Sequence, residues 1–370
     1  MLVRYCKTEN GNTVKRAEVY TKQEHPIRRK DIDPDAVSII LRLRSAGHVA
    51  YIVGGAVRDL LVGRIPKDFD IVTDAHPRRI KRLFRNSRII GKRFRLAHIF
   101  FGSKIIEVST FRSLNPGEGE LNQYGTIQED VLRRDFTLNA LYYCPVEEVI
   151  LDYVGGVKDI RKKVIQPLIP LKRIFVEDPV RMLRAVKYAA MLEFTFSFLT
   201  RRKIHKQAPL LAACSNSRLT EELFKILASG ASSAILKALY THKLLQYFIP
   251  SLDARLKGNK NQFFSRFFKT LEEFDRSGED TDLRYKGLIS LLKDYLQDLA
   301  EERKGETLLL KDYYVAAKEF LSPLVPANKD IDRAVMDSIH KTRPKRPRKR
   351  RSKRSKAPPA EAILTDILFS

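Results

Sequence analysis

The chain has 370 residues, and hydrophobic residues make up 44% of them, which excludes a chain that is disordered throughout. Lys and Arg number 69 against 44 Asp and Glu, so the formal net charge is +25. A surplus of this size predicts a polyanionic partner, either nucleic acid or an anionic membrane surface. A basic protein without such a partner is the alternative.

Signals for membranes or oxidising compartments are not found in this sequence. The first 30 residues are polar and basic and lack the apolar stretch of a signal peptide. No run of roughly 18 uncharged apolar residues predicts a membrane span. Cys6, Cys144 and Cys214 are far apart and odd in number, so neither a disulfide framework nor a metal-binding spacing follows. We therefore expect a cytoplasmic protein.

Residues 31–160 alternate between helical and strand patterns and predict a small mixed β-sheet domain. The predicted strands are Val49–Val53, Phe69–Thr73, Phe94–Phe101 and Lys104–Phe111, and the predicted helices are Asp35–Arg44, Ala56–Val62 and Pro77–Phe84. Gly102-Ser103 predicts a hairpin between the last two strands. Pro and Gly residues within Ser113–Gln123 predict a loop.

Strand signals fade after about Ile160, and helical periodicity dominates from Pro179 to roughly Pro323, which predicts an all-helical body. Residues 341–356 then hold eleven basic residues and no acidic one, which predicts a disordered basic tail. The predicted fold class is therefore α+β. The predicted domains are an N-terminal basic arm at 1–30, the sheet domain at 31–160, helical domains at 161–250 and 251–330, and the basic tail at 331–370.

The motif Lys67-Asp68-Phe69-Asp70 places two carboxylates on one side of a strand, because residues i and i+2 point to the same face. Like charges at this spacing repel each other unless a cation binds between them, and Mg²⁺ prefers oxygen ligands. Glu107 adds a third acid between two apolar strand residues. We interpret the three as a candidate two-metal phosphoryl-transfer site. A solvated acidic turn, with Glu107 facing water from an edge strand, is the alternative.

Gly54-Gly55 follows the first predicted strand and precedes a predicted helix that contains Arg58. Glycine allows a phosphate to approach the backbone closely, and Arg58 could add a charge-assisted hydrogen bond. The segment therefore predicts a phosphate-binding turn. A plain tight turn is the alternative.

Two further motifs combine arginines with carboxylates. Arg can bind a triphosphate, and Asp or Asn can bind ribose hydroxyls, whereas helix capping beside surface arginines is the alternative. The motifs are Arg133-Arg134-Asp135-Phe136-Thr137-Leu138-Asn139-Ala140 and Glu177-Asp178-Pro179-Val180-Arg181-Met182-Leu183-Arg184. Asp178 and Pro179 fit the N-cap and first position of a helix on which Arg181 and Arg184 share a face.

The four motifs follow one another along the chain: the glycine motif, the Asp-Phe-Asp motif and the two arginine–carboxylate motifs. In this order they resemble the motifs of the class II tRNA nucleotidyltransferase and poly(A) polymerase family, and the resemblance covers about residues 25–250. The resemblance implies that Asp68 and Asp70 hold two Mg²⁺ ions, with Mn²⁺ as a substitute, and that Glu107 and Asp135 complete the catalytic set. It implies nucleotide binding by Gly54, Gly55, Arg58, Arg134, Asn139, Glu177, Asp178, Arg181 and Arg184. A protein side chain, not a template strand, would select the nucleotide.

Ile90–His98 resembles the segment that marks the bacterial poly(A) polymerase branch of this family, and His25–Ile32 and Asp152–Asp159 resemble that branch as well. The resemblance implies a polynucleotide adenylyltransferase that uses ATP as substrate. Its implied partner is the 3′ end of RNA, either mRNA or another transcript. The basic tail would raise RNA affinity without sequence preference. CCA addition to tRNA is the alternative within the family, and an RNA-binding protein without catalysis is the alternative outside it.

Overall fold

A computed structural model of the chain describes residues 2–7, 13–91, 95–114, 124–258, 262–278 and 282–340. A sheet domain comes first and a helical region follows it, which confirms the predicted α+β class. The predicted tail from residue 341 and most of the predicted loop Ser113–Gln123 lie outside the described residues. Of the helices that are described, none has the length and apolar character needed to cross a membrane.

The main sheet is mixed. Its strands are β1 (Leu2–Lys7), β2 (Thr13–Tyr20), β3 (Ala50–Val53), β4 (Asp70–Thr73), β5 (Ser87–Ile90), β6 (Leu96–Phe101), β7 (Lys104–Thr110), β8 (Leu141–Cys144) and β9 (Val149–Asp152). Within the described ranges their order across the sheet is β1-β2-β9-β8-β3-β4-β7-β6-β5. Neighbouring strands are antiparallel except β4 and β7, which are parallel.

The sheet is larger than predicted. Strands β1 and β2 lie in the segment that we expected to be a basic arm, and β5, β8 and β9 were not among the predicted strands. The pairing of β2 with β9 places Val19 opposite Leu151. Ala17, Glu18, Val19 and Tyr20 are all buried, so this part of β2 is covered on both faces. The charge of Glu18, buried in this strand, is balanced by Lys158 at 2.5 Å. Net charge predicted an arm, whereas the period-two alternation of Ala17 and Val19 favours a strand.

Helices pack against both the sheet and each other. They are α1 (Pro34–Ser45), α2 (Gly55–Leu61), α3 (Pro77–Leu83), α4 (Ile127–Leu132), α5 (Gly156–Arg161), α6 (Ile174–Glu177), α7 (Val180–Leu192), α8 (Phe198–Gln207), α9 (Asn216–Leu227), α10 (Ser232–Thr241), α11 (Leu245–Phe248), α12 (Pro250–Gly258), α13 (Gln262–Arg276), α14 (Leu283–Glu302), α15 (Leu310–Leu321) and α16 (Asn328–His340). The short parallel strands β10 (Val164–Ile165) and β11 (Thr195–Phe196) lie at the junction of the two parts.

Helix α16 corrects the predicted start of the tail at residue 331. Its buried residues Ile331, Ala334 and Val335 recur at helical spacing, so the helix has an apolar face that packs against the body. The run of basic residues that predicts the tail begins only after this helix, at Lys341.

The two faces of the sheet are covered differently. Helices α1 and α3 pack on one face, where residues such as Ile39, Ile71 and Ile99 form a core that continues into the helical region. On the other face a smaller core that includes Val72, Val131 and Tyr142 covers the middle of the sheet. The outward side of β5–β7 contributes no residue to that smaller core.

Candidate active-site cleft

A cleft of about 630 Å³ lies between the sheet domain and the helical region. Two contacts span the two parts beside it: Lys67 donates to the carbonyl of Ala228, and Arg64 donates to the carbonyl of Met191 at 3.1 Å. Predicted site residues on its walls are Gly54, Gly55, Arg58, Asp68, Asp70, Arg134, Asp135, Asn139, Asp178, Arg181 and Arg184. Glu107 and Glu177, also predicted, are not among its lining residues.

Asp68 and Asp70 lie where the chain enters β4, and both are exposed to the cleft. Protein atoms nevertheless crowd the Asp70 carboxyl. This burial, together with the negative charges of Glu107 and Asp68, raises the pKa of Asp70 to about 6. A cation bound between the two aspartates would relieve that repulsion. The donor set therefore fits Mg²⁺, which commonly binds through one or two carboxylates and completes its coordination with substrate phosphates and water.

Glu107 lies on β7 next to Asp70, because Ile71 and Val108 are paired in the parallel register of β4 and β7. Its carboxylate contacts His98 Nε2 at 3.2 Å, and its side chain is 48% exposed. Within the part of the chain that the structure describes, no three Asp, Glu, His or Cys side chains converge closely enough to hold a metal ion. A third protein ligand from Glu107 therefore stays a prediction.

The Gly54-Gly55 turn brings the backbone and Arg58 to the cleft. Gly54 has a φ of 69°, a conformation in which residues with a Cβ are strained, so glycine permits the turn from β3 into α2. Arg58 donates to Asn139 Oδ1 at 2.9 Å, contacts Asp59 at 2.8 Å and lies 4.6 Å from the ring centre of Tyr188. These contacts fix the guanidinium before any ligand binds.

Asp135 and Asn139 are nearly fully buried beside Arg58 and contact each other. Asn139 Nδ2 donates to Asp135 Oδ1 at 3.1 Å, and the second Asp135 oxygen lies 2.9 Å from the Arg184 guanidinium of α7. The pair therefore links Arg58 of the sheet domain to Arg184 of the helical region. In this conformation both residues position arginines, whereas a contact to ribose stays a prediction.

Arg134 is held by a carboxylate that the sequence analysis did not single out. Asp130, fully buried on α4, accepts hydrogen bonds from Arg134 at 2.8 Å, Arg133 at 2.7 Å and the Tyr142 hydroxyl at 2.7 Å. Burial by itself would raise the pKa of Asp130, but the two arginines outweigh it and lower that pKa to about 2. The sequence signal was an acid followed by arginines at i+3 and i+4.

At the start of α7 the predicted nucleotide-binding residues divide into two groups. Asp178 and Arg181 line the cleft, and Asp178 is paired with Arg218 at 2.8 Å. Glu177 is exposed, and its carboxylate contacts Arg173 at 2.6 Å. The helix begins at Val180, one residue later than the Asp178-Pro179 pattern predicted.

Two further cleft residues form a buried ion pair that sequence reasoning missed. Lys187 of α7 contacts Glu222 of α9 at 3.0 Å, and Lys225 contacts the same carboxylate at 3.3 Å. Burial alone would raise the pKa of Glu222, yet Lys187 and Lys225 lower it. The available signal was Lys187 itself, because a lysine inside an apolar helical run needs a buried partner.

Basic side chains outnumber acidic ones on the cleft walls and lie on both sides of the aspartates. Arg58 and Arg134 lie towards the Gly54-Gly55 turn, and the negative charge of Asp70 is opposed by Arg134 and Lys225. Fixed guanidinium groups beside a pair of carboxylates are suited to a triphosphate bound through a divalent cation. The arrangement can support in-line displacement at a phosphorus atom.

Comparisons with protein families match two parts of the chain. Residues 50–166 match the family described as "Poly A polymerase head domain". Residues 193–256 match the family described as "Probable RNA and SrmB-binding site of polymerase A".

The chain is also similar in sequence to individual poly(A) polymerases and CCA-adding enzymes. Poly(A) polymerase I of Salmonella typhi is 41% identical over 67% of this chain and 57% of its own length. The CCA-adding enzyme of Bacillus subtilis is 38% identical over 57% of this chain and 54% of its own length. The chain thus spans a little more than half the length of these relatives. The crystal structure of the Bacillus stearothermophilus CCA-adding enzyme in complex with CTP aligns with a TM-score of 0.55 and 26% identity, over 84% of this chain and 83% of that one.

Proposed function

The chain belongs to the family of poly(A) polymerases and CCA-adding tRNA nucleotidyltransferases, and we propose that it transfers AMP from ATP to RNA 3′ ends and releases pyrophosphate. The observation that carries the proposal is the convergence of Asp68 and Asp70 with Arg58 and Arg134 in one cleft. No template strand is needed if protein side chains of the cleft select the base. The proposed RNA substrates are mRNA or other transcripts, and the proposed location is the cytoplasm.

In the proposed mechanism, Arg58 and Arg134 bind the triphosphate and keep the α-phosphorus in front of Asp68 and Asp70. Asp68 and Asp70 would hold two Mg²⁺ ions, and the bound metal would supply positive charge for activation of the 3′ hydroxyl and for stabilisation of the leaving pyrophosphate. Asp178, just before α7, and Arg181 and Arg184 on α7 line the cleft, where they would bind the base. The protein contributes positioning and charge stabilisation, since the arginines are fixed before the substrate arrives.

Two observations favour adenylate addition over CCA addition. The poly(A) polymerases of Salmonella typhi and Escherichia coli O157:H7 are 41% and 43% identical to this chain, against 38% for the CCA-adding enzyme of Bacillus subtilis. The segment Ile90–His98, part of which lies outside the described residues, also resembles the bacterial poly(A) polymerases.

The test is extension of a labelled oligoribonucleotide unrelated to tRNA, with Mg²⁺ and each of ATP, CTP, GTP and UTP separately. A long ladder with ATP alone, abolished by EDTA, supports the proposal. One to three additions to a trimmed tRNA from CTP and ATP, with no ladder on the oligonucleotide, would establish CCA addition instead. RNA binding without extension of either substrate would indicate a protein that has lost catalysis.

A further inference from the structure

A row of polar residues crosses four adjacent strands and starts at the cleft. His98 on β6 is paired with Glu107 on β7, and Arg88 on β5 is paired with His98. Since Glu107 lies next to Asp70, the row runs Asp70, Glu107, His98, Arg88. Directly paired residues point to the same face of a sheet. At roughly 4.8 Å per strand, the row extends about 14 Å from the cleft to the edge of the sheet.

The row lies on the side of β5–β7 that faces away from α3. The neighbours of His98 along β6, Ala97 and Ile99, belong to the core beneath α3, and Ser87 next to Arg88 is buried, so alternation turns the row residues outward. We call this outward side the open sheet face. It consists of Arg88, Ile90, Leu96, His98, Phe100, Ile105 and Glu107.

The open sheet face combines apolar surface with a free cation. Ile90 and Ile105 are 39% and 45% exposed. Phe100 is half-buried and is paired with Ile105, whereas Ile90 is paired with Leu96. Arg88 is exposed and forms no ion pair with any residue of the described ranges. A strand face of this kind suits single-stranded nucleic acid, whose bases stack on aromatic and apolar side chains while its phosphates contact cations.

The position of the row relative to the ATP site favours the same occupant. Gly54, Arg58 and Arg134 lie on the β3 side of Asp70, whereas Glu107, His98 and Arg88 lie on its β7 side. In-line displacement requires the attacking oxygen and the leaving pyrophosphate to be on opposite sides of the phosphorus. If the triphosphate binds near Arg58, the attacking RNA strand must approach from the side of Glu107.

We propose that the open sheet face binds the last nucleotides of the RNA primer, with Arg88 contacting a backbone phosphate and Phe100 stacking on a base. This inference rests on the proposed function, because it assigns the path of that reaction's RNA substrate. Phosphate contact and stacking are both independent of sequence, as tailing of unrelated transcripts requires.

The same domain offers a matched control on its other side. Arg82 of α3 is exposed and, like Arg88, has no ion pair within the described ranges. It lies on the helix that covers the opposite face of β5 and β6. Arg88→Ala and Arg82→Ala therefore remove the same charge from opposite faces of one domain.

The experiment measures the KM for an oligoadenylate primer, the KM for ATP and kcat in Arg88→Ala, Arg82→Ala and the wild-type chain. We expect Arg88→Ala to raise the primer KM about fivefold to tenfold, with a shallower salt dependence, and to leave the ATP KM unchanged. Arg82→Ala should match the wild type. An unchanged primer KM in Arg88→Ala, or a rise confined to Arg82→Ala, overturns the proposal.

Phe100 provides a second, independent readout. Phe100→Ala should raise the primer KM several-fold. Phe100→Tyr should have the primer KM of the wild type, because tyrosine retains the stacking surface. Thermal melting of both variants separates this effect from loss of fold, and equal primer KM values in two folded variants would contradict stacking. A wild-type chain that extends no RNA would refute the proposed function, whereas an active wild type with unaffected Arg88 and Phe100 variants would refute this inference alone.

Discussion

The two sides of Asp70 differ in how far their side chains are fixed. On the β3 side, Arg58 is 6% exposed and is bonded to Asn139, and Arg134 is held by the fully buried Asp130. On the β7 side, Glu107 is 48% exposed, and Arg88 has no ion pair within the described ranges. A side that binds one nucleotide benefits from fixed donors, whereas a side that binds any RNA benefits from exposed, sequence-tolerant contacts.

The largest expected effect is that of Asp70→Asn, at the boundary between the two sides. Removing the charge removes a metal ligand, so RNA extension should fall by at least about 10³-fold, while the fold and ATP-free RNA binding are retained. Single-turnover extension, thermal melting and RNA binding measure the three properties. Asp74→Asn, immediately after β4 and outside the cleft lining, is the control and should remain active. Full extension by Asp70→Asn would refute the metal assignment.

The second largest expected effect concerns Asp130, which holds Arg133 and Arg134 on the β3 side of Asp70. Asp130→Asn leaves Arg133 and Arg134 without their buried counter-charge and should lower the free energy of unfolding by about 3–5 kcal/mol. Urea denaturation measures the change. Glu129→Gln, next to it on α4, keeps an oxygen for the capping box but loses the negative charge at the helix start, and should cost about 1 kcal/mol or less. Equal losses in the two variants would mean that Asp130 does not stabilise this side as described.

The same carboxylate predicts a pH dependence. The pKa of Asp130 falls on folding from about 3.9 to about 2, so its ionised form contributes stability above the unfolded-state pKa. That contribution, about 2–3 kcal/mol, should be lost as the pH falls through about 2. Unfolding free energies of the wild type and Asp130→Asn between pH 5 and pH 2 should therefore converge. Parallel profiles would contradict the lowered pKa.

The smallest predicted effect concerns Arg58. Arg58→Lys keeps the charge but loses the planar contacts to Asn139 and Tyr188, so the KM for ATP should rise about tenfold. Arg42→Lys, whose guanidinium also lies over an aromatic ring but on α1, is the control and should behave like the wild type. Steady-state kinetics at saturating primer measure the change, and an unaltered ATP KM would show that Arg58 does not bind the triphosphate.

Residues that are close in sequence were predictable, whereas their partners from distant segments were not. The spacing of Asp68 and Asp70 on β4 and the Gly54-Gly55 turn follow from local rules of strand and glycine geometry. The contact of Asp130 with Arg134 has a local signal, because the two residues are four positions apart. The hydrogen bond from the Tyr142 hydroxyl on β8 to Asp130 has no such signal, because it depends on how the chain folds back between α4 and β8.

The fold divides in the same way. The helical body and strands β3, β4, β6 and β7 follow from periodicity, and β7 was predicted close to its observed bounds. Strands β5, β8 and β9 were not predicted. Strands β1 and β2 were missed because the polar, basic composition of the first residues outweighed their alternation. The pairing of β4 with β7, which brings Glu107 to Asp70, is a long-range contact that the sequence pattern does not reveal.

In the proposed adenylyl-transfer site, Asp68 and Asp70 separate an ATP side from an RNA side. The most direct measurement is a single set of extension assays in which the ATP KM and the primer KM are both determined for Arg58→Lys and Arg88→Ala. We expect each variant to change a different constant: Arg58→Lys raises only the ATP KM, and Arg88→Ala raises only the primer KM. Both variants raising the same KM, or neither raising any, would contradict it.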